Sequence, residues 1–96
     1  MAPLTFYYQP VFEEAYARQD WPASARVLAE TLRYQPTVVR RMGETRPARS
    51  QSEADLALVF ARLYEQHAHV LELSGEREAA AASGRRAAEL AQAAQP

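Results

Sequence analysis

The side chains best suited to chemistry in this 96-residue chain are few, and their spacing does not serve it. His67 and His69 are its only histidines. Two positions apart on a helix, they point to different faces, because helical neighbours lie three and four residues apart. Glu65, His69 and Glu72 share a face and are the one set placed to approach a metal ion. A closed site needs more ligands, and such groups on a helical face are usually solvated. His67 falls on an apolar stripe, where a hydrogen-bonded core histidine is expected. Glu13 and Glu14 are adjacent in sequence, so they do not face each other across a scissile bond. The chain has no cysteine, hence no thiolate ligand and no disulfide. It has no nucleophile–base pair, glycine-rich phosphate loop or zinc signature. No enzyme, metal or cofactor is expected, and function must be argued between binding readings.

Charge supplies the first such reading. All 11 basic residues are arginine, and lysine, asparagine and isoleucine are absent. These three use AT-rich codons, so their joint absence points to a GC-rich, bacterial genome. Net charge is −1, but it is unevenly placed. Arginines 33, 40, 41, 46 and 49 stand against one acid, Glu44, a local surplus of four. The segment Leu28-Ala29-Glu30-Thr31-Leu32, Arg33-Tyr34-Gln35, then Pro36 to Met42 resembles a DNA-binding helix-turn-helix. The resemblance implies that Ala29 sits where the two helices touch and that Leu32, Val39 and Met42 pack inside. Thr37, Val38, Arg40 and Arg41 would face the groove or backbone of DNA, with Arg46 and Arg49 adding charge. Arginine suits both phosphate contact and guanine readout. Two departures stand out: Arg33 occupies the turn position that usually holds glycine, and the recognition helix is short.

The elements that must position these residues are helices. Twenty alanines, with leucine, glutamate, glutamine and arginine, favour helix throughout. No segment alternates long enough for a strand. One all-α domain of four main helices, packed as antiparallel hairpins, is expected over 1–96, and about 65% of the unfolded chain's surface would be buried at this size. No apolar run reaches the length of a membrane span. The first residues lack the pattern of a signal peptide. A soluble cytoplasmic protein is the expectation.

Thr5 caps a first helix over 6–18 in this reading, with Pro10 in its first turn. Asp20 or Trp21 starts a second, to about 34, with Pro22 at its first position. Ala25, Leu28, Ala29 and Leu32 face its core. Phe6, Tyr7, Tyr8, Phe12, Tyr16, Trp21 and Tyr34 are expected to fill the interior, unless Tyr7, Tyr8 or Trp21 line an exposed patch. Thr37 would cap a short helix over 38–42, ended by Gly43, inside a connector spanning 35–50. Residues 44–52 read as a loop.

The last stretch reads as a long helix over 51–73 folded back at Ser74-Gly75 on a second over 76–93. Ser50 with Glu53, or Ser52 with Asp55, has capping-box spacing. Leu56, Val59, Phe60, Leu63, Tyr64, His67, Val70 and Leu71 form its apolar stripe. Ala80, Gly84, Ala87, Ala88 and Ala91 form the facing stripe, with Leu90 the only large aliphatic residue of that helix. So small a face makes a thin core, which points to support from the N-terminal helices or to a homo-oligomer, a dimer in the simplest case.

Tyr64, His67, Ala68, Leu71, Gly75, Ala80, Gly84, Ala87 and Gln92 have the spacing of a tetratricopeptide repeat, a helix–turn–helix unit of about 34 residues. The first hairpin resembles it too, at Tyr8, Val11, Phe12, Ala15, Gln19, Ser24, Leu28, Thr31 and Pro36. Gln19 stands where the glycine belongs, and Ser24 and Thr31 where alanines belong. His67 and Gly84 also depart from the pattern, and the two units are 56 positions apart, not 34. The resemblance implies binding of a protein or peptide on the concave face by the first helix of each pair. That nominates Tyr8, Val11, Ala15, Tyr64, His67 and Leu71. An adaptor or interaction module is the first expectation, and a dimeric DNA-binding regulator using Arg40 and Arg41 the alternative.

Overall fold

A computed structural model describes residues 4–43 and 45–95, with the backbone alone for residues 4–8. It is all-α: α1 (Leu4–Ala17), α2 (Trp21–Arg33), α3 (Thr37–Arg41), α4 (Gln51–Leu73) and α5 (Arg77–Ala93). Among the described residues no helix is long and apolar enough to cross a membrane.

The start of α2 follows from its sequence. Asp20 accepts the Ala23 amide at 3.2 Å, and Pro22 sits in the first turn. At α4, Ser50 takes the Glu53 amide at 3.2 Å, so Ser50 is the cap rather than Ser52. The Glu53 carboxylate does not return to the Ser50 amide as a full capping box would. It accepts the Arg49 amide at 2.9 Å and pairs with Arg46 at 2.8 Å. The loop before α4 is thereby tied down by its own arginines.

Three local expectations are corrected. Helix α1 begins at Leu4, so Thr5 lies inside it, and Pro10 falls in its interior rather than its first turn. Helix α3 begins at Thr37 itself, without a side-chain cap. It ends at an extended Met42, not at a left-handed Gly43. The Arg86 guanidinium takes over that end, donating to the carbonyls of Val39 and Met42 at 2.7 Å each. With these carbonyls satisfied, no left-handed turn is needed.

Helix α4 is the central element, packing against α5, α2 and α3, while α1 packs mainly on α2. Its buried face pairs small Ala57 and Ala61 with large Phe60, Leu63, Val70 and Leu71. Helix α5 runs back along it: Ser83 reaches His67, and the Ala93 carbonyl receives the Ala48 amide at 2.8 Å. The buried face of α5 is Ala80, Ser83, Ala87, Leu90 and Ala93, rotated from the expected stripe. Ala88 is exposed, as are Val59 and Leu58 on α4. The interior is one cluster in which Ala25, Leu28 and Leu32 of α2 and Val39 and Met42 of the α3 region join α4 and α5. Aliphatic residues and Phe60 fill it; of the N-terminal aromatics, Phe12 packs against it, and Phe6, Tyr7 and Tyr8 lie outside the described side chains. Tyr34 is 65% exposed and Tyr16 39%, whereas Phe12 and Trp21 are half-buried.

The two hairpin turns share one geometry. Gln19 and Gly75 both adopt positive φ, 58° and 83°. Behind them Asp20 donates to the Ala15 carbonyl and Glu76 to that of Leu71, each at 2.9 Å. Gln19 donates to Tyr16 at 2.9 Å, and Gly75 to Glu72 at 3.0 Å. This is the double bond of a Schellman helix end, made twice. The next residues match as well: Asp20 at φ −87°, ψ 82° and Glu76 at φ −94°, ψ 74°.

Candidate binding surfaces

The matched turns define a correspondence of positions between the hairpins. Ala15 corresponds to Leu71, Ser24 to Ala80, and Thr31 to Ala87, and all six are buried. The hydroxyls that replace alanine methyls at Ser24 and Thr31 are harmless there. Each donates to the carbonyl four residues back in its own helix, at 2.9 Å.

In the first hairpin, α4 packs on α2 and meets α1 only along Phe12 and Tyr16, where a hollow of about 430 Å³ remains. Phe12 and Tyr16 lie along Val70 and His69, and the Tyr16 hydroxyl is 3.4 Å from His69 Nε2. In the second hairpin, the groove between α4 and α5 is open. It is a hollow of about 370 Å³, floored by Ala68, Ala80 and Ala81, with Glu65, Glu72 and Arg77 along its sides. His69 stands at its edge, between the two hollows. Among the described residues no group of three His, Asp or Glu side chains is placed to hold a metal ion.

A second depression, about 500 Å³, opens on the other flank of α5. Leu32 and Ala29 wall it, Tyr64, His67 and Ser83 floor it, and Arg33 and Arg40 stand at its rim. Gln35 donates to the Tyr64 hydroxyl at 2.9 Å. Ser83 Oγ lies 3.2 Å from His67 Nδ1. Burial holds the His67 pKa below its ordinary 6.5, an effect that the nearby Glu76 carboxylate partly offsets.

The six residues nominated for partner contact divide three ways. Tyr8 lies outside the described side chains. Ala15 and Leu71 are buried and shape the core rather than a surface. Val11 is 54% exposed, and Tyr64 and His67 meet in the second depression.

The arginine segment is likewise divided. Thr37, Arg41 and Arg49 are exposed. Arg46 is held by Glu53, whose carboxyl is kept below its ordinary value first by the Arg46 hydrogen bond and then by the Arg49 amide. Arg40 bonds the Arg33 carbonyl at 2.6 Å, closing the end of α2. Val38 packs against the core instead of facing outward, and Ala29 is exposed rather than sealed between two helices. Sequence reasoning missed Arg86, because nothing in an alanine–arginine helix marks which arginine will find distant carbonyls.

Comparisons with protein-family models, curated proteins and solved structures give no match.

Proposed function

We propose that this protein is a non-catalytic interaction module that takes a helix of another protein into the open α4/α5 groove. The observation that carries the reading is a correspondence of positions: α4 packs on α2 with His69 against Tyr16 of α1, and at the matching place one hairpin later no described helix packs on α5 beside Glu72. The repeated Schellman turn and the buried small residues at matched positions support a likeness to tetratricopeptide repeats. Chemistry narrows the partner. His69 of α4 faces Tyr16, and the counterpart of Tyr16 is Glu72. A docked helix would therefore carry a basic residue at the place of His69. Helix α1 of a second copy would instead bring Glu13 there, against Glu72, so a basic helix from another protein fits better than self-association through α1.

The test uses a peptide of residues 51–73 with His69→Lys. Titrated into isotopically labelled protein, it should shift the amides of Ala68, Ala80 and Ala81, and Ala81→Arg should abolish the response. Absent shifts, or shifts indifferent to Ala81→Arg, would remove the reading.

The helix-turn-helix alternative keeps one favourable observation: α3 directly follows α2 with Arg40 and Arg41 exposed. Its five residues give about 7.5 Å of helix. A mobility-shift titration at low salt, with Arg41→Ala as control, tests it. No complex at micromolar protein would end it.

A further inference from the structure

We propose that the cleft between α2, α4 and α5 binds a small ligand carrying an oxyanion, a carboxylate or a phosphate, on an apolar or aromatic body. The cleft shares no lining residue with the α4/α5 groove, so the proposal stands whether or not a helix docks there.

A guanidinium offers five N–H groups. Arg40 spends one on the Arg33 carbonyl and one, at 3.5 Å, on that of Gln35, which anchors the fork and leaves the others to the cleft. Arg33 pairs with Glu30 at 3.3 Å, both side chains being well exposed, and its guanidinium lies 6.0 Å from the Tyr34 ring centre. Such a surface pair exchanges readily for a better anion. On the floor, the Tyr64 hydroxyl accepts from Gln35, so its own O–H remains to donate. Ser83 Oγ lies against His67 Nδ1, and in the tautomer where the hydroxyl donates, the ring proton lies on Nε2 as a further donor. The unpartnered Gln35 Oε1 is sealed from solvent, and no carboxylate among the described residues lines the cleft. Donors thus outnumber the acceptors that line the cleft, and of its two arginines only Arg33 has a carboxylate partner, the exposed Glu30. An acceptor-rich anion satisfies this set, and a neutral or cationic ligand does not. Leu32, Ala29 and the Tyr64 ring supply apolar wall, and about 500 Å³ suits a small molecule.

Protonation reinforces the charge. His67 is faced by Tyr64 from its own helix, Ser83 from α5, Arg33 and Arg40 from α2 and α3, and Glu76 from the α4–α5 turn. Proton uptake by His67 adds a third cation, so anion affinity rises as pH falls below the ordinary histidine range.

The experiment is an NMR titration of the labelled protein with phenyl phosphate, benzoate and inorganic phosphate, with benzyl alcohol as the neutral control. Phenyl phosphate and benzoate at millimolar concentration should give saturable shifts at Tyr64, His67 and Ser83, and benzyl alcohol none. Arg33→Gln and Arg40→Gln should each weaken binding by about tenfold. Benzoate, whose charge is constant over the range, should bind more tightly at lower pH. Equal affinity for inorganic and phenyl phosphate would assign the free ion and remove the apolar body from the proposal. No saturable shift with any anion, an equal response to benzyl alcohol, or unchanged affinity in both arginine variants would overturn it. Because Arg40 also closes α2, the exposed Arg33 variant separates lost binding from lost folding.

Discussion

Gln19 and Gly75 hold the same left-handed position at the ends of α1 and α4, one with a side chain and one without. The Cβ of an L-residue costs roughly 1 kcal/mol there, a strain glycine does not have. Gln19→Gly should therefore stabilise the protein and Gly75→Ala destabilise it, each by about 1 kcal/mol. In a domain of this size that is several degrees in Tm, of opposite sign, read by calorimetry. Movement in the same direction would mean that the two turns are not energetically alike.

Arg86 joins α5 to the end of α3 through the Val39 and Met42 carbonyls, over more than forty residues of chain. Arg86→Ala removes the donor from the Met42 carbonyl and leaves that of Val39 only the Met42 amide at 3.2 Å, and should cost about 2 kcal/mol in urea unfolding. Hydrogen exchange should accelerate most at Val39, Arg40 and Met42, whose amides close the α3 turn. Arg86→Lys should recover little, since one ammonium cannot reproduce the fork.

Acid should destabilise the protein in two windows. His67 is held below 6.5 when folded, so the unfolded chain takes up its proton first, and stability falls as pH drops below that value. Glu53 is held below its ordinary 4.5, so its contribution is present above that value and is lost as pH falls further, through its folded pKa. Denaturant midpoints followed against pH should show both steps. His67→Gln should flatten the first and leave the second.

Residue periodicity made the helices and both hairpin turns legible, because caps and turn formers act locally. Asp20, Ser50 and Gly75 each mark a boundary that depends only on nearby backbone. The buried face of α5 was legible in part: Ala80 and Ala87 lie on it as expected, but Ser83 and Ala93 replace Ala88, because alanines occur all round that helix. Which of them face inward is decided by Leu90 and by the Ser83–His67 bond, not by composition. The candidate sites were only half legible. Tyr64, His67 and Arg40 were each singled out, but for two different functions, and only tertiary packing gathers them into one cleft. The groove over Ala68, Ala80 and Ala81 was not legible at all, because nothing local says that no described helix covers it.

Glu72 decides what that groove accepts. In the first hairpin the matching position is Tyr16, whose hydroxyl meets His69. With glutamate there, a lysine on the docked helix gains an opposite charge, and the glutamate that α1 of a second copy would present meets a like one. Glu72→Arg should reverse the order. Reversing one exposed pair from repulsion to attraction changes the balance by about 1 kcal/mol, or roughly fivefold in affinity. The peptide of residues 51–73 with His69→Lys should bind the variant about fivefold more weakly, and the same peptide with His69→Glu should regain it. Sedimentation velocity on Glu72→Arg alone should show concentration-dependent self-association through α1, removed by adding Glu13→Arg. If the two peptides bind the variant as they bind the parent, the docked helix does not lie in register with α4, and the correspondence of positions does not extend to it.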